Sequence, residues 1–229
     1  MDRSDIVTGS TTPRTRPEIF TGTTPWPTIV YPCLPDPETT GKISIGTSTD
    51  GTEVRVVDPA TGGAKGVKPA RFDLIPPVEL KAMLAKSGEF GSCRSLMNDF
   101  WAGGPIDLVL KAGRTGLMDL SDGDAGYPGG ATPKSLWTLA EVYGYGAKKY
   151  HDEDHPITGD YNWARGYRWG YSYGAAIRHL NQRWREEIMD DESGLPHMAH
   201  FVWHCLTLAY FSNNGIGVDD RLVTLRRSK

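Results

Sequence analysis

Apolar residues recur at helical spacing through the last hundred residues of the chain. In the first such run, which starts after Thr132, the apolar positions lie three or four residues apart, at Leu136, Leu139, Ala140 and Tyr143. Pro133 suits a first helical turn, and Gly144 and Gly146 are typical of a helix end. The pattern predicts a helix that begins near residue 132 and ends at these glycines.

Two further helices are predicted after a loop over residues 151–170. One begins behind Ser172, and its apolar stripe consists of Tyr173, Ile177, Leu180, Trp184 and Ile188. The next runs from Pro196 to about residue 213, and Gly194 separates the two, because glycine favours a helix end and proline a first turn. A short amphipathic segment near the C-terminus follows. We therefore predict a mainly α fold with a helical bundle as its core.

The pattern before residue 132 is less regular. Residues 1–40 are rich in Thr, Pro and Gly, which predicts an irregular arm. Apolar residues alternate at 42–45 and 53–57 around Asp50-Gly51, which predicts a small β-hairpin, and a short helix is predicted at 78–86. Residues 88–133 contain many glycines and no sustained period, so we predict a long insertion with one helical turn at 94–100. The predicted division is an arm with its hairpin at 1–60 and a helical domain at 61–229.

Composition and charge narrow the class of protein. A chain of 229 residues with 38% hydrophobic and 23% charged residues can bury one core, as a soluble globular protein does. The net charge of −3 and the lack of a long basic run argue against stable nucleic-acid binding. Three widely spaced cysteines suggest a reducing cytoplasm. The start, MDRSDIVTGS, has no apolar leader, and no apolar tract is long enough to cross a membrane.

The stretch EIMDDESGLPHMAH, residues 187–200, concentrates candidate metal ligands. Glu187 and Asp190 would lie one turn apart at the end of the second predicted helix, bordering a buried seam. Acidic residues at a helix C-terminus oppose the helix dipole, so this cluster requires another reason to be there. Carboxylate oxygens are the ligands that Mg²⁺ and Mn²⁺ prefer, and His197 lies just beyond. We favour a metal site over a solvated helix end.

Plainer explanations exist for the other candidates. His197, His200 and His204 share one face of the third predicted helix, and they are as readily core histidines as ligands. Lys148 and Lys149 suit a helix C-terminus, or alternatively a phosphate site. The pair His151-Asp152 falls in a loop and is better explained as exposed polar residues than as a metal-binding dipeptide.

Six segments, taken in order, resemble a known family. They are GAKGVKPARFDLIP at 63–76, GAKKY at 146–150, NW at 162–163 followed by Gly166, AIRH at 176–179, EIMD at 187–190 and ESGLPHMAH at 192–200. Together they are similar to the phage-type dATP/dGTP diphosphohydrolase domain, a MazG/MazZ-like family, over residues 60–86 and 135–213. Two departures are His204, where the family commonly has Asn, and the long segment 88–133.

The resemblance implies a fold and an activity. The fold would be an all-α, MazG-like bundle. The enzyme would use Mg²⁺ or Mn²⁺ to cleave purine deoxynucleoside triphosphates to monophosphate and pyrophosphate. It would act in phage nucleotide-pool metabolism, as a homo-oligomer in the host cytoplasm.

The same resemblance, together with the chemistry of a triphosphate, assigns site residues. Glu187 and Asp190 would be the principal metal ligands, completed by Asp191 or His197, and His179 would relay a proton. The expected substrate-binding residues are Lys149, Tyr150, Asn162, Trp163, Arg178, Lys68 and Arg71. The cations would offset phosphate charge, while the amide and the aromatic rings would bind the base or the sugar.

Two alternatives stay open from the sequence. The first is a non-catalytic helical module of phage structure or assembly, in which the acidic and histidine residues form a structural metal site. The second is a triphosphohydrolase that uses His151-Asp152 and releases intact triphosphate.

Overall fold

The computed structural model describes residues 44–47, 54–57, 64–86, 91–121, 130–152 and 159–227. In these residues the fold is mainly helical, as predicted. The helices are α1 (Pro77–Leu84), α2 (Cys93–Trp101), α3 (Asp107–Leu120), α4 (Pro133–Lys149), α5 (Trp169–Trp184), α6 (His197–Asn214) and α7 (Leu222–Arg227). None of the described helices is both long and apolar enough to cross a membrane. The arm predicted at 1–40 lies outside the described residues.

A small antiparallel sheet precedes the helices. Strands β1 (Ser44–Thr47), β2 (Val54–Val57) and β3 (Ala64–Val67) are paired in that order, with Ser44 opposite Val57 and Val54 opposite Val67. The first pair confirms the predicted hairpin. The third strand was not predicted, because its segment is short and contains glycine. Backbone pairing with a neighbouring strand can override such weak local preferences.

Helix α6 is the centre of the helical core. Its buried residues occur on every side of the helix, which is typical of a central helix. Helix α5 packs on one side of it and helix α3 on another. The approach of α3 is close at Gly116, where an added Cβ would lie 2.9 Å from Cγ2 of Val202. Glycine there lets the two backbones come together.

The prediction for residues 88–133 is wrong about secondary structure. The segment contains two full helices, α2 and α3, and their residues Met97, Phe100 and Leu117 are buried in the core. The glycines at 113 and 116 suggested a break in regular structure. In the folded chain they lie within α3 and face α1 and α6, so they serve close packing. The division of the chain at residues 60 and 61 stays a prediction.

Helix α5 has different ends from those predicted. It begins at Trp169, three residues before Ser172, and ends at Trp184. Trp184 and Ile188 are 58% and 59% exposed, so they do not continue the apolar stripe. Beyond the helix, Glu186 has a positive φ of 65°, which turns the chain away from the helical path. Residues 187–196 therefore form a turn between α5 and α6, and the acidic residues are not on a helix.

Helix α4 continues past the glycines that were expected to end it. Thr132 caps its N-terminus by accepting a hydrogen bond from the Ser135 N–H at 3.1 Å, and Pro133 occupies the first turn as predicted. A Cβ at Gly144 would overlap the carbonyl oxygen of Pro69. The segment after β3 lies directly on the helix there, and the Arg71 N–H donates to the Ala140 carbonyl at 2.9 Å.

Replacing Gly144 with Ala is expected to destabilise the protein. The added methyl group overlaps a backbone carbonyl, and such overpacking costs about 1–3 kcal/mol, more than the gain of up to about 1 kcal/mol in helix propensity. Urea denaturation measures the difference in the free energy of unfolding. Gly174→Ala is the matched control, because a Cβ at that helical glycine would meet nothing within 4 Å. Equal stability of the two variants would contradict the packing role of Gly144.

Candidate functional site

Two histidines and one aspartate meet where α5, the 187–196 turn and α6 come together. His179 lies on α5, Asp190 in the turn and His197 at the first position of α6. Each offers one candidate ligand atom, and these atoms all lie within 4.8 Å of one another. The Nδ1 atoms of the two histidines are 3.0 Å apart, and Asp190 Oδ1 is 3.8 Å from His197 Nδ1. We call this group the histidine–aspartate cluster.

Backbone hydrogen bonds hold the turn that carries Asp190. Its N–H donates to the Leu195 carbonyl at 2.9 Å, and its carbonyl accepts from the Gly194 N–H at 2.8 Å. The His197 N–H donates to the Ile188 carbonyl at 2.9 Å, which closes the turn at its base. These bonds fix the backbone position of the aspartate relative to α6.

Ser193 orients the aspartate side chain. Its N–H and its hydroxyl both donate to Asp190 Oδ2, at 3.0 and 2.9 Å. The same hydroxyl oxygen lies 2.7 Å from Nε2 of His200, whose ring stacks on the His179 ring at 4.8 Å between centroids. Oδ2 is held by these bonds, and Oδ1 faces the histidines.

The local electrostatics favour the protonation states that a metal requires. Burial, with smaller contributions from the neighbouring His200 and Arg178, lowers the pKa of His179 to about 3. Burial also lowers the pKa of His200 and of His204. For Asp190 burial opposes ionisation, but the hydrogen bonds from Ser193 outweigh it, so the pKa of Asp190 lies below its usual value. Neutral imidazoles beside a carboxylate are the forms that bind a cation.

The donor set indicates which metals fit. Two imidazole nitrogens and one carboxylate oxygen suit a first-row divalent ion such as Mn²⁺, Fe²⁺ or Zn²⁺. Mg²⁺ prefers oxygen ligands in a regular octahedron, so it fits this set less well. Of the two metals expected from the resemblance, Mn²⁺ is therefore the better match to these residues.

An aromatic pocket of about 360 Å³ lies beside the cluster. Its walls come from α4, α5, α6 and the segment around the 3-10 turn Asn162–Arg165. The lining residues are Tyr143, Gly146, Tyr150, Gly159, Asn162, Trp163, Tyr167, Tyr171, Trp203 and His204. His204 connects the two features, because it lines the pocket and its ring stacks on that of His179 at 5.8 Å between centroids. The pocket and the cluster thus meet at His204.

Three residues predicted to bind substrate line this pocket, namely Tyr150, Asn162 and Trp163. Trp163 is buried and forms edge-to-face contacts with Tyr143 at 5.7 Å and with Tyr210 at 4.9 Å. These contacts fix its ring in the wall. The structure therefore brings together residues from two separate motifs of the sequence.

Other predicted acidic ligands lie apart from the cluster. The side chain of Glu187 is 40% exposed and forms an ion pair with Arg185 at 3.0 Å. Asp191 is exposed. The predicted position of Glu187 on a helix is wrong, because the helix ends at Trp184. Neither Glu187 nor Asp191 belongs to the group of ligand atoms around Asp190.

The predicted phosphate-binding cations are spread over the surface near the site. Lys149, at the end of α4, forms an ion pair with Glu192 of the turn, and its ammonium lies 5.9 Å from the ring centroids of Tyr145 and Tyr150. Arg178 is exposed, next to His179 in the chain. Lys68 is exposed just after β3. Lys149 is close to the cluster because it pairs with the turn that carries Asp190, and Arg178 is close because it precedes His179 in the chain.

Arg71 forms two ion pairs instead of presenting a free charge. Its guanidinium donates to Asp73 at 2.7 Å and to Asp160 at 2.9 and 3.1 Å. Asp160 follows Gly159 and precedes Asn162, both of which line the pocket. Arg71 therefore fastens the pocket wall to the segment that packs on α4. A bidentate pair of this kind gives a fixed geometry.

Replacing Arg71 with Gln is expected to loosen the pocket wall. Asp160 loses its bidentate partner, so amide hydrogen exchange should become faster at residues 159–163 than in the unchanged protein. Mass spectrometry of peptic fragments measures this exchange. Asp73→Asn is the control, because it removes a partner of Arg71 and keeps the pair with Asp160. Unchanged exchange at 159–163 in Arg71→Gln would contradict the role of this ion pair.

Several site residues could not be assigned from the sequence. His179 was expected to relay a proton, but the structure places it among the candidate ligands. The aromatic lining also includes Tyr143, Tyr167, Tyr171 and Trp203, which the helical periodicity gave no reason to separate from the core. The one available signal was the number of aromatic residues between positions 143 and 171.

Comparison with protein families finds a match to part of the chain. Residues 128–221 match the family model described as dATP/dGTP diphosphohydrolase, N-terminal. This segment contains the whole cluster and the whole pocket lining. It supports the predicted resemblance over five of the six motifs, and the motif at 63–76 lies before it. The family name implies a hydrolase that acts on an acid anhydride. Neither the curated proteins nor the solved structures gave a match to the chain.

Proposed function

We propose that this chain, which carries a dATP/dGTP diphosphohydrolase N-terminal domain, hydrolyses purine deoxynucleoside triphosphates to monophosphate and pyrophosphate. One observation carries the proposal: an aromatic pocket adjoins the histidine–aspartate cluster at His204. A nucleotide could then place its base in the pocket while its phosphates extend toward the cluster.

The pocket has the size and the chemistry of a nucleobase site. Its volume of about 360 Å³ lies within the range of small-ligand pockets. The rings of Tyr150, Trp163 and Trp203 offer faces or edges against which a flat purine can pack. Asn162 supplies an amide that both donates and accepts hydrogen bonds, which is what reading a base edge requires. A purine fills more of this space than a pyrimidine does.

Residues around the cluster would bind the triphosphate. Lys149 and Arg178 carry positive charge near the turn, and offsetting the charge of the phosphates lowers the barrier to attack on phosphorus. Lys149 is paired with Glu192 in the structure. Binding of a phosphate group would transfer the ammonium from this exposed carboxylate to the substrate. We propose both residues as phosphate ligands, and we assign Arg71 to the pocket wall.

His179, Asp190 and His197 would hold a divalent ion of the Mn²⁺ type. When bound, such an ion polarises a phosphate oxygen and acidifies water. The protein supports it by holding Asp190 ionised through Ser193 and by keeping the His179 imidazole neutral in a buried setting. In the overall reaction, water oxygen forms a bond to the α-phosphorus, and the bond to the oxygen bridging the α- and β-phosphates breaks.

Product analysis tests the proposal. The protein is incubated with each of the four deoxynucleoside triphosphates and either Mn²⁺ or Mg²⁺, and the products are separated by ion-exchange chromatography. Monophosphate and pyrophosphate from dATP and dGTP, formed faster with Mn²⁺, is the expected result. Nucleoside and intact triphosphate would instead indicate the alternative triphosphohydrolase. No product from folded protein that retains zinc would favour the non-catalytic module.

The biological setting follows from the family resemblance. We propose that the enzyme acts on a phage nucleotide pool in the host cytoplasm, as a homo-oligomer. Light scattering of the purified protein measures the assembly directly.

A further inference from the structure

His204 lines the pocket and contacts the histidine–aspartate cluster through the ring of His179. It lies on α6, two turns after His197, and its ring packs edge-to-face on Trp203 at 4.8 Å and stacks on His179 at 5.8 Å. It is not among the three residues whose ligand atoms converge. The imidazole of His204 can therefore have a role other than metal binding.

Two consecutive hydrogen bonds connect the hydroxyl of Tyr167, through Ser172, to Nδ1 of His204. The hydroxyl of Tyr167 lies 2.8 Å from the hydroxyl oxygen of Ser172, and that oxygen lies 3.3 Å from Nδ1 of His204. Ser172 is fully buried on α5. A serine has one hydroxyl proton, so it can donate to only one of these two neighbours.

The chemistry of the three groups sets the direction of the chain. A phenol is a stronger donor and a weaker acceptor than an aliphatic hydroxyl, and an unprotonated imidazole nitrogen is the strongest acceptor of the three. Tyr167 therefore donates to Ser172, and Ser172 donates to Nδ1 of His204. Bonds arranged head to tail in this way reinforce one another. The ring proton of His204 must then be on Nε2, because the partner of one nitrogen fixes the state of the other.

We propose that His204 is a substrate-binding residue whose Nε2–H donates to an oxygen of the nucleotide between the base and the cleaved anhydride, and that Tyr167 and Ser172 are positioning residues that fix its tautomer. The inference rests on the proposed function, because it takes the pocket as the base site. The uncharged Nε2–H of His204 suits a position between the base site and the phosphate site. It can hold a sugar or α-phosphate oxygen without competing with the cations for the rest of the triphosphate.

The tautomer can be observed without any ligand. Two-dimensional NMR of protein labelled with ¹⁵N at histidine distinguishes protonated from unprotonated ring nitrogens, and His204→Asn identifies the signals of residue 204. We expect an Nε2–H tautomer in the unchanged protein and a mixture of tautomers in Ser172→Ala. An Nδ1–H tautomer in the unchanged protein would overturn the inference, whatever the enzyme does.

Binding of unreactive ligands tests the contact itself. Calorimetry with dAMP and with deoxyadenosine, in the absence of metal, is compared for the unchanged protein, His204→Leu and His204→Asn. Loss of one neutral hydrogen bond should weaken binding by about three- to tenfold in the leucine variant. The asparagine variant should recover part of this loss because its amide can donate. A deficit with dAMP alone would identify a phosphate oxygen, and a deficit with both ligands a sugar oxygen.

Two further comparisons separate this inference from the proposed function. Ser135→Ala is the control for Ser172→Ala, because Ser135 is an equally buried helical serine whose hydroxyl donates to the Thr132 carbonyl and not to His204. If the unchanged protein binds neither ligand, the base-site assignment fails. If it binds both and His204→Leu binds them equally well, only the role of His204 fails.

Discussion

Replacing Asp190 with Asn is expected to reduce nucleotide hydrolysis by more than about a hundredfold, since even residues that merely support a metal ligand account for about 10–100-fold in affinity or activity. The substitution removes the negative charge that faces His179 and His197. It keeps an oxygen that can accept the two bonds from Ser193. The turn should therefore persist while the cation site is lost.

Glu187→Gln provides the matched comparison for this experiment. It makes the same chemical change three residues earlier in the same turn, at an exposed carboxylate that pairs with Arg185. We expect it to retain nearly full activity and Mn²⁺ affinity. Steady-state rates, calorimetric titration with Mn²⁺ and urea denaturation are measured for both variants. Loss of activity in Glu187→Gln with retention in Asp190→Asn would reinstate the ligand assignment made from the sequence.

Replacing Gly146 with Leu is expected to block the pocket without harming the fold. Gly146 lines the pocket, and a Cβ at this position would meet nothing within 4 Å, so a larger side chain can be accommodated only by taking ligand space. We expect dAMP affinity to fall by at least about tenfold, which corresponds to about 1.4 kcal/mol. Stability should stay equal or rise by up to about 1 kcal/mol, because leucine is a better helix former than glycine.

Gly174→Leu is the control for the pocket variant. Gly174 also lies within a helix and also has open space around its would-be Cβ, but it does not line the pocket. Calorimetry with dAMP and urea denaturation are carried out on both variants. Equal affinity of the two variants for dAMP would show that the base binds elsewhere. A large loss of stability in Gly146→Leu alone would show that the space is needed for folding.

Local signals predicted most of the helices. Proline in a first turn and apolar spacing placed the start of α4, and proline after a glycine placed the start of α6. The errors arose where glycine was taken as a break. Gly113, Gly116 and Gly144 each lie inside a helix, and the reason for each is a neighbouring segment that approaches closely. That reason belongs to tertiary structure and has no local signature.

The sequence predicted several residues of the site, but it did not predict how they are arranged in space. The sequence indicated Asp190, His197, Tyr150, Asn162 and Trp163, and the structure places the first two in the cluster and the other three in the pocket wall. It did not indicate that His179 faces Asp190, because they lie on different elements and the turn reverses the chain between them. The predicted helix continued to Asp190, six residues past its end at Trp184, and this placed Glu187 wrongly one helical turn from Asp190.

The close contact between α3 and α6 has a consequence for modularity. The segment that defines the family starts at residue 128, yet one side of its central helix is covered by α3, which precedes it in the chain. A protein trimmed to the family segment would expose Val202, Cys205 and Met198 to water. The functional segment is thus not an independent folding unit in this chain.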